Sequence, residues 1–465
     1  MKRLALKRLA AVLSGAVACS SAPASPGAGG ADGAAATKSS SSGGTGESSS
    51  STGLYSTCGI ENGQHPDSVP PNWVRWTCDP GCVFWLPPDR ASLPSPIEWE
   101  ACPDYSTHAE CRKMSTPWSD GERPTGLNLA FDVDPSGTAR LMIARIARDT
   151  PDGPELYLEW ALGQVDGPLE FAMRRDYPPR CYAHLRQLHH EVFAFSLDGD
   201  GTLPINNDID ALMIGYVGSL EPVMPYRNPE VGSSAWSIGP KWVLQQDLGS
   251  KITAHTHDFS ESFLFYGAHM SPDFSPYNGK AFHFGSEVVF QAVDYSSAGI
   301  WAYDEARGTH PLVTFPGDTT QGAANLGTDG VDLVWTHGTG KELGAFGLYP
   351  SVSIMTAPYT TDPAAIEPRR LRKDLNLGIG TKELQFAVGC GYAGRGMATS
   401  RDVQIVRLED GAGWVLEGSD VWKYISVLGF TCDEVFLLVM DQVTKEIPAI
   451  VRMPLSALGE PLPPD

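Results

Sequence analysis

The sequence predicts an all-β protein folded as a β-propeller of about seven blades, with six to eight as the accepted range. The first observation is a polar turn followed by an apolar run, seen most clearly at 323–338. Related segments at 283–294, 378–391 and 428–441 lie roughly 45 to 50 residues apart, which is typical of propeller blades. The second is an abundance of turn residues, 49 glycines and 37 prolines, between short apolar runs. A pair of β-sandwich domains is the alternative, but it does not predict a sustained period.

The composition is compatible with a large folded core and argues against a nucleic-acid partner. The chain has 465 residues, of which 42% are hydrophobic and 19% are charged. Its formal net charge of -21 repels phosphate backbones, because affinity for nucleic acids comes mainly from Lys and Arg side chains that neutralise phosphates. We therefore expect a monomeric propeller with no nucleic-acid ligand.

The N-terminus predicts export. Basic residues precede an apolar run at 9–18 that is too short to remain as a membrane-spanning helix, which is the pattern of a signal peptide. The tetrapeptide 16–19 resembles a bacterial lipobox in which Cys19 is lipidated, although Ala16 and Val17 depart from its commonest form. We expect a lipoprotein signal peptide at 1–18. An ordinary secreted protein with an incidental cysteine is the alternative.

Residues 19–53 predict a disordered tether. Ser, Gly, Ala, Thr and Pro dominate this segment, and it has too few large apolar side chains to offset the entropy lost on ordering. The anchor and tether together predict a location in the bacterial cell envelope, with the outer membrane or cell surface favoured over the inner membrane. The membrane is then one partner, reached through the lipid.

Eight cysteines remain after Cys19, and an even number in an exported chain predicts disulfides. Eight cysteines permit 105 pairings, so spacing supports hypotheses only. Short turns suggest two pairs, successive repeats suggest a third, and the fourth follows by elimination. The predicted pairs are Cys78 with Cys82, Cys102 with Cys111, Cys390 with Cys432, and Cys58 with Cys181. Half a zinc site at Cys78 and Cys82 is the alternative, but no Cys/His pair at matching spacing completes it.

The folded part is predicted in two segments. Residues 54–120 are rich in Pro, Trp and Cys and predict an irregular, disulfide-stapled lead-in that packs against the main fold. The propeller is predicted at 121–465. Its strands are predicted at 127–133, 139–147, 156–160, 169–173, 192–197, 211–217, 241–244, 262–266, 288–293 and 299–303. One segment, 364–375, could hold a short helix, although Pro368 interrupts it.

Large aromatic residues at equivalent places of the repeats are expected to fill the layers between blades. They are Phe290, Trp335, Phe386 and Phe436. The sequence from Gly389 to Gly394 matches GxGxxG, but a strand at 403–408 follows it instead of the helix that a dinucleotide site needs. We interpret it as a glycine-rich hairpin.

The repeat pattern, the Trp and Cys turns that precede it, and the signal ending at Cys19 together resemble the uncharacterised β-propeller lipoproteins of some Gram-negative bacteria. This resemblance covers most of the exported chain. It implies a propeller fold and an envelope location, and it implies no catalytic residue.

An acidic segment at 198–210 is the first candidate metal site. Carboxylates at Asp198, Asp200 and Asp208, with nearby amides, offer the oxygen donors that Ca²⁺ takes from a compact loop. The segment departs from the EF-hand pattern at Thr202 and Leu203. A solvated hairpin turn is the preferred interpretation, with a calcium loop as the alternative; no other cofactor is predicted.

Two histidines form a second candidate. His255 and His257 share one face if 252–258 is a strand, and with nearby acids or histidines they could hold a transition metal. Polar loop histidines are the alternative. His184, His189 and His190 rank lower because their spacing matches neither a helix face nor a strand face.

The sequence supports two functional hypotheses. The preferred one is a non-catalytic, lipid-anchored propeller that binds a protein, peptide or glycan at its loops or channel mouth. The alternative is an extracytoplasmic hydrolase or lyase, assisted by a metal, whose acids assemble from different blades. No catalytic residue is predicted, and neither hypothesis can be decided from spacing, because folds of this kind host many functions.

Overall fold

The structure is a computed structural model. It describes residues 69–78, 82–102, 110–115, 127–150, 153–177, 186–197, 211–227, 234–247, 251–267, 281–284, 287–293, 298–315, 321–339, 351–373, 386–397, 401–442 and 449–463. The predicted signal peptide, Cys19, the tether, Cys58, Cys181, Asp198, Asp200 and Asp208 lie outside these residues. Within them, no helix combines the length and apolar character needed to cross a bilayer.

The described residues form seven antiparallel sheets, which are the blades of a β-propeller. Four strands precede the first complete blade: β1 (Val74–Cys78), β2 (Cys82–Leu86), β3 (Glu98–Ala101) and β4 (Arg112–Ser115). Blade 1 contains β5 (Leu127–Val133), β6 (Ala139–Thr150), β7 (Gly153–Gln164) and β8 (Leu169–Tyr177). Blade 2 contains β9 (Arg186–His189), β10 (Val192–Leu197), β11 (Ala211–Tyr216) and β12 (Val223–Arg227). The predicted seven-bladed architecture is confirmed.

The next three blades each have four strands in chain order. Blade 3 contains β13 (Ser234–Ile238), β14 (Val243–Asp247), β15 (Lys251–His255) and β16 (Ser262–Gly267). Blade 4 contains β17 (Ala281–Phe284), β18 (Glu287–Val293), β19 (Ala298–Asp304) and β20 (Gly308–Phe315). Blade 5 contains β21 (Gln321–Thr328), β22 (Asp332–Thr339), β23 (Ser351–Pro358) and β24 (Arg369–Lys373).

The last two blades complete the ring. Blade 6 contains β25 (Ala387–Gly389), β26 (Tyr392–Gly396), β27 (Val403–Arg407) and β28 (Gly413–Leu416), and blade 7 contains β29 (Trp422–Phe430), β30 (Glu434–Asp441) and β31 (Ala449–Pro454). Short 3-10 helices lie at Arg90–Ser92, Pro363–Ala365 and Leu455–Leu458. The helix predicted at 364–375 is therefore wrong beyond its first residues: Pro363–Ala365 forms one 3-10 turn, and β24 follows as an outer strand.

The N-terminal strands join the first and last blades. Strand β2 pairs with β8 at Trp85 and Arg174, so β1 and β2 extend blade 1 at its outer edge. Strand β4 pairs with β31 at Arg112 and Arg452, so β4 and β3 become the outer strands of blade 7. The predicted lead-in is thus part of the sheets, and it covers an edge of β31 that would otherwise offer unpaired backbone groups.

Apolar side chains fill each junction between neighbouring blades. The described residues form a separate buried cluster at each of the seven junctions. Phe290, Trp335, Phe386 and Phe436 are all buried, each in a different cluster. Phe290, Trp335 and Phe436 lie in the second strands of their blades, whereas Phe386 directly precedes the innermost strand β25. The predicted equivalence is therefore wrong for Phe386, since the second strand of its blade, β26, is rich in glycine.

The two faces of the ring differ in their connections. On one face of the ring, turns join the first strand of each blade to the second and the third strand to the fourth. Most of these turns are short, and we name this face the turn face. The opposite face, named the loop face, carries the connections between second and third strands and between blades. The longest of these are 198–210, 268–280, 340–350 and 374–386.

Candidate functional site

Bonds on the turn face link neighbouring blades around the ring. Arg452 Nη1 of blade 7 lies 2.6 Å from Asp166 Oδ1 of blade 1, and the Lys241 and Glu305 side chains pair between blades 3 and 4. The other links are Asp132 with His190, Tyr216 with His257, Arg307 with the Thr361 carbonyl, Arg369 with the Glu409 carbonyl, and Cys390 with Cys432. The ring is therefore tied together by polar and covalent bonds as well as by apolar packing.

One of these links carries a cluster with metal-ligand chemistry. Asp132 lies near the end of β5, the innermost strand of blade 1, and His189 ends β9, the innermost strand of blade 2. Donor atoms of Asp132, His189 and His190 all lie within 4.8 Å of one another. Among the described residues, this is the one group of His, Cys, Asp or Glu side chains that meets this criterion.

The backbone at His190 brings the two imidazoles to the same side. Adjacent side chains in a strand point to opposite faces, but His190 has a φ of 54° and starts the tight turn into β10. The His189 and His190 rings are stacked with their centroids 4.0 Å apart. The carboxylate of Asp132 accepts from the His190 backbone N–H at 2.5 Å, and its Oδ2 lies 3.1 Å from His190 Nδ1. A left-handed residue other than glycine is uncommon in folded proteins.

The electrostatics of the two imidazoles differ. The hydrogen bond with Asp132 raises the pKa of His190, against the opposing effect of burial. Burial, and then repulsion from His190, lowers the pKa of His189 to about 4. At neutral pH the His189 imidazole is therefore neutral.

An ion-pair network supports the turn after Asp132. Arg140 Nη1 lies 2.6 Å from Asp134 Oδ2, and Arg140 Nε lies 2.8 Å from Glu170 Oε2. Burial alone raises the pKa of Asp134, but hydrogen bonds from Ser136, Arg140 and Thr138 outweigh it and lower that pKa to about 2. This network holds the β5 to β6 turn in place and thereby positions Asp132.

The predicted pair of His255 and His257 is placed differently. Strand β15 ends at His255, so the strand prediction through residue 258 is wrong: the chain turns instead, and Asp258 Oδ1 accepts from the Ser260 N–H at 3.0 Å. His255 Nε2 lies 3.0 Å from Gln245 Oε1. His257 lies 3.0 Å from the Tyr216 hydroxyl and 2.8 Å from the Gly239 carbonyl oxygen. The two imidazoles therefore have separate partners.

Two of the predicted disulfides are present. Cys102 pairs with Cys111 beside the hairpin of β3 and β4, with both residues buried. Cys390 pairs with Cys432 across the junction of blades 6 and 7, with both residues exposed. Cys78 and Cys82 face each other in the register of β1 and β2, but their side chains lie outside the described part of the structure.

The glycine-rich motif is a hairpin, as predicted. Gly389 ends β25, Cys390 and Gly391 form the turn, and β26 begins at Tyr392. Cys390 has a φ of 46°, so this turn shares a left-handed first residue with the turn at His190. In both blades that residue makes a bond to the neighbouring blade.

Comparisons with known proteins assign this chain to no family. No known protein family and no curated protein sequence matches the chain. Solved structures that resemble it include YCF48 from Cyanidioschyzon merolae, at 9% identity and a TM-score of 0.42, with 74% of this chain and 98% of that chain covered. YCF48 bound to D1 peptide has 11% identity and a TM-score of 0.42, with 76% and 99% covered. A prolyl endopeptidase structure has 9% identity and a TM-score of 0.38; the match covers 71% of this chain and only 50% of that one.

Proposed function

We propose that this protein is an exported, lipid-anchored envelope protein whose propeller binds a protein, peptide or glycan through its loop face. The observation that carries the proposal is the difference between the two faces of the ring. Short turns and bonds between blades occupy the turn face, whereas the longest connections, 198–210, 268–280, 340–350 and 374–386, all leave strands at the loop face.

A rigid scaffold with variable connections on one face suits recognition. Loops tolerate changes in length and sequence when the framework beneath them is fixed, and binding residues are accordingly concentrated on such loops. Three of the seven blades contribute these long connections: blade 2 contributes one, blade 3 contributes one that leads to blade 4, and blade 5 contributes two. A ligand at the channel mouth could therefore contact several of them at once.

The proposal is tested by replacing loops of matched length. The segments 198–210 and 340–350 are each replaced by Gly/Ser sequences of the same length in the full chain, and a control variant, Lys241→Ala, alters the turn face. Each protein is cross-linked to its neighbours in the producing cells and then purified. We expect the wild type and the control to recover the same partner, and the loop variants to recover at least ~10-fold less of it. For a partner that is far from saturating, this corresponds to a loss of roughly 1.4 kcal/mol in binding free energy. Equal recovery by all four proteins, with unchanged melting temperatures, would contradict the proposal.

The same proteins distinguish binding from turnover. Purified wild type is incubated with peptide and glycan panels, and products are sought by mass spectrometry. The binding proposal expects retained ligands without products. Product formation that is lost in the loop variants would instead support the hydrolase or lyase alternative.

The anchor is tested separately. The signal that ends before Cys19 motivates a Cys19→Ser variant, and Ser20→Ala is a matched neighbour. We expect wild type and Ser20→Ala to incorporate a labelled fatty acid and to fractionate with membranes, and Cys19→Ser to do neither. An unlabelled wild type would show that the anchor is wrong without affecting the binding test.

A further inference from the structure

We propose that Asp132, His189 and His190 form a binding site for one divalent transition-metal ion, with Zn²⁺ as the test ion, where blades 1 and 2 meet on the turn face. The site is independent of the loop face and of the ligand proposed for it. Its elements are three donor groups, a backbone that aligns them, and access from solvent.

The donor set selects the class of metal. Two imidazole nitrogens and one carboxylate oxygen suit Zn²⁺, Cu²⁺ or Ni²⁺, whereas Ca²⁺ and Mg²⁺ prefer oxygen donors alone. Three protein ligands also leave one position of a tetrahedral ion for water or for a donor atom of a partner. The chemistry therefore differs from that of the acidic segment at 198–210.

The geometry requires only a small adjustment of side chains. Donor atoms of the three residues lie within 4.8 Å of one another, and ligands of a tetrahedral zinc ion at the usual bond lengths are ~3.4 Å apart. The Asp132 and His190 side chains are 26% and 35% exposed, so their torsions are not locked by a packed core. An ion can also reach them from solvent.

The backbone of His190 is arranged for the cluster. A non-glycine residue in the left-handed region is strained, and glycine would avoid this strain in the turn between β9 and β10. His190 adopts this conformation with a φ of 54° and places its ring against that of His189, beside a carboxylate from another blade. The cluster thus brings donor atoms of all three residues to the same place.

The ion would couple the innermost strands of two neighbouring blades. Asp132 belongs to the innermost strand of blade 1, and both histidines lie at the corresponding end of blade 2. The disulfide between Cys390 and Cys432 makes a comparable link between blades 6 and 7 from a turn of the same kind. A metal at the first junction would therefore strengthen the ring as well as present an open coordination position.

Zinc binding to the full exported chain tests the proposal. After dialysis against a chelator, Zn²⁺ is titrated by calorimetry, and the bound metal is counted by elemental analysis. We expect the wild type to bind one equivalent of zinc. The variants His189→Gln, His190→Asn and Asp132→Asn should each lose more than ~100-fold in zinc affinity. A loss of this size exceeds the range typical of residues that only orient metal ligands. Asn is chosen at position 190 because it tolerates left-handed backbone.

Matched controls separate this site from others. His255→Gln and His257→Gln remove histidines of the same face and should retain one equivalent of zinc. Zinc should raise the melting temperature of the wild type and of these controls, but not that of the three cluster variants, because an ion that binds only the folded chain stabilises it by mass action. Absence of stoichiometric zinc in the wild type, or unchanged affinity in folded cluster variants, would overturn the proposal.

Discussion

Gly429 and Phe131 pack closely where the first and last blades meet. Gly429 lies in β29 and Phe131 in β5, the innermost strands of blades 7 and 1. A Cβ atom at position 429 would lie 2.1 Å from Phe131 Cδ1, well inside any real carbon–carbon contact. Phe131 also packs on Phe436, with ring centroids 4.8 Å apart. Glycine is favoured here because the Phe131 ring occupies the space that a side chain at position 429 would need.

We expect Gly429→Ala to lower the free energy of unfolding by roughly 1–3 kcal/mol, because the added methyl group overpacks the junction. Urea unfolding followed by tryptophan fluorescence measures the change. The double variant Phe131→Leu, Gly429→Ala should be more stable than the sum of the two single changes predicts, since the smaller side chain makes room. Strict additivity would show that the two residues do not compete for the same space.

His337 provides a test of pH dependence. It lies half-buried in β22, and burial lowers its pKa. Below a pH of about 6.5 the unfolded chain binds a proton that the folded chain resists until lower pH, so this residue makes stability fall as the pH falls through that window.

We therefore expect His337→Gln to reduce the loss of melting temperature between pH 7 and pH 5. Above pH 8 imidazoles are neutral, so the difference in melting temperature between wild type and variant there measures the effect of the substitution on packing alone. Parallel curves for the two proteins from pH 8 to pH 5 would contradict the assignment.

At the scale of elements, the exposed disulfide joins two hairpins of different blades. Cys390 lies in the turn between β25 and β26, and Cys432 in the turn between β29 and β30, with a sequence separation of 42. Such a cross-link stabilises mainly by restricting the unfolded chain, and its effect grows with the length of the closed loop.

We expect the double variant Cys390→Ser, Cys432→Ser to lose roughly 4 kcal/mol of unfolding free energy, between the values for loops of about 15 and 100 residues. Because both residues are exposed, the change removes little packing. Urea denaturation of the oxidised proteins measures the loss. A variant within about 0.5 kcal/mol of wild type would mean that the unfolded chain is already restricted at this junction.

At the scale of the whole molecule, the N-terminal strands close the ring. Strands β3 and β4 complete blade 7, and Trp99 of β3 donates a hydrogen bond from Nε1 to the Val165 carbonyl of blade 1 at 2.8 Å. The guanidinium of Arg452 lies 4.6 Å from the centre of the Trp99 ring. A segment near the start of the chain therefore bonds to both sides of the junction between the last and first blades.

We expect a chain that begins at residue 121 to lose cooperative unfolding and to associate, because β31 then presents an unpaired edge. A chain that begins at residue 66 retains both added hairpins and is the control, expected to stay monomeric. Thermal unfolding and sedimentation velocity compare the two. Equal melting temperatures and a monomeric shorter chain would show that these strands are dispensable.

Residues close in sequence account for most of what could be predicted. Alternating apolar runs and Pro/Gly turns predicted the hairpin of β5 and β6, and short spacing predicted the disulfide between Cys102 and Cys111. Periodic spacing along one strand favours His255 and His257 as metal ligands and ranks His189 and His190 lower. The two imidazole rings meet because His190 adopts a left-handed backbone conformation. No residue pattern in this sequence predicts that conformation.

The amino-acid pattern is enough to predict the all-β class, the repeated blade and the approximate number of blades, because apolar runs and turn residues are local features of the chain. The completion of the seventh blade by β3 and β4, and the contact of Asp132 with His190, arise only in the folded ring. Those contacts join residues that are remote in the chain, and they form only when the strands adopt their register and the ring closes.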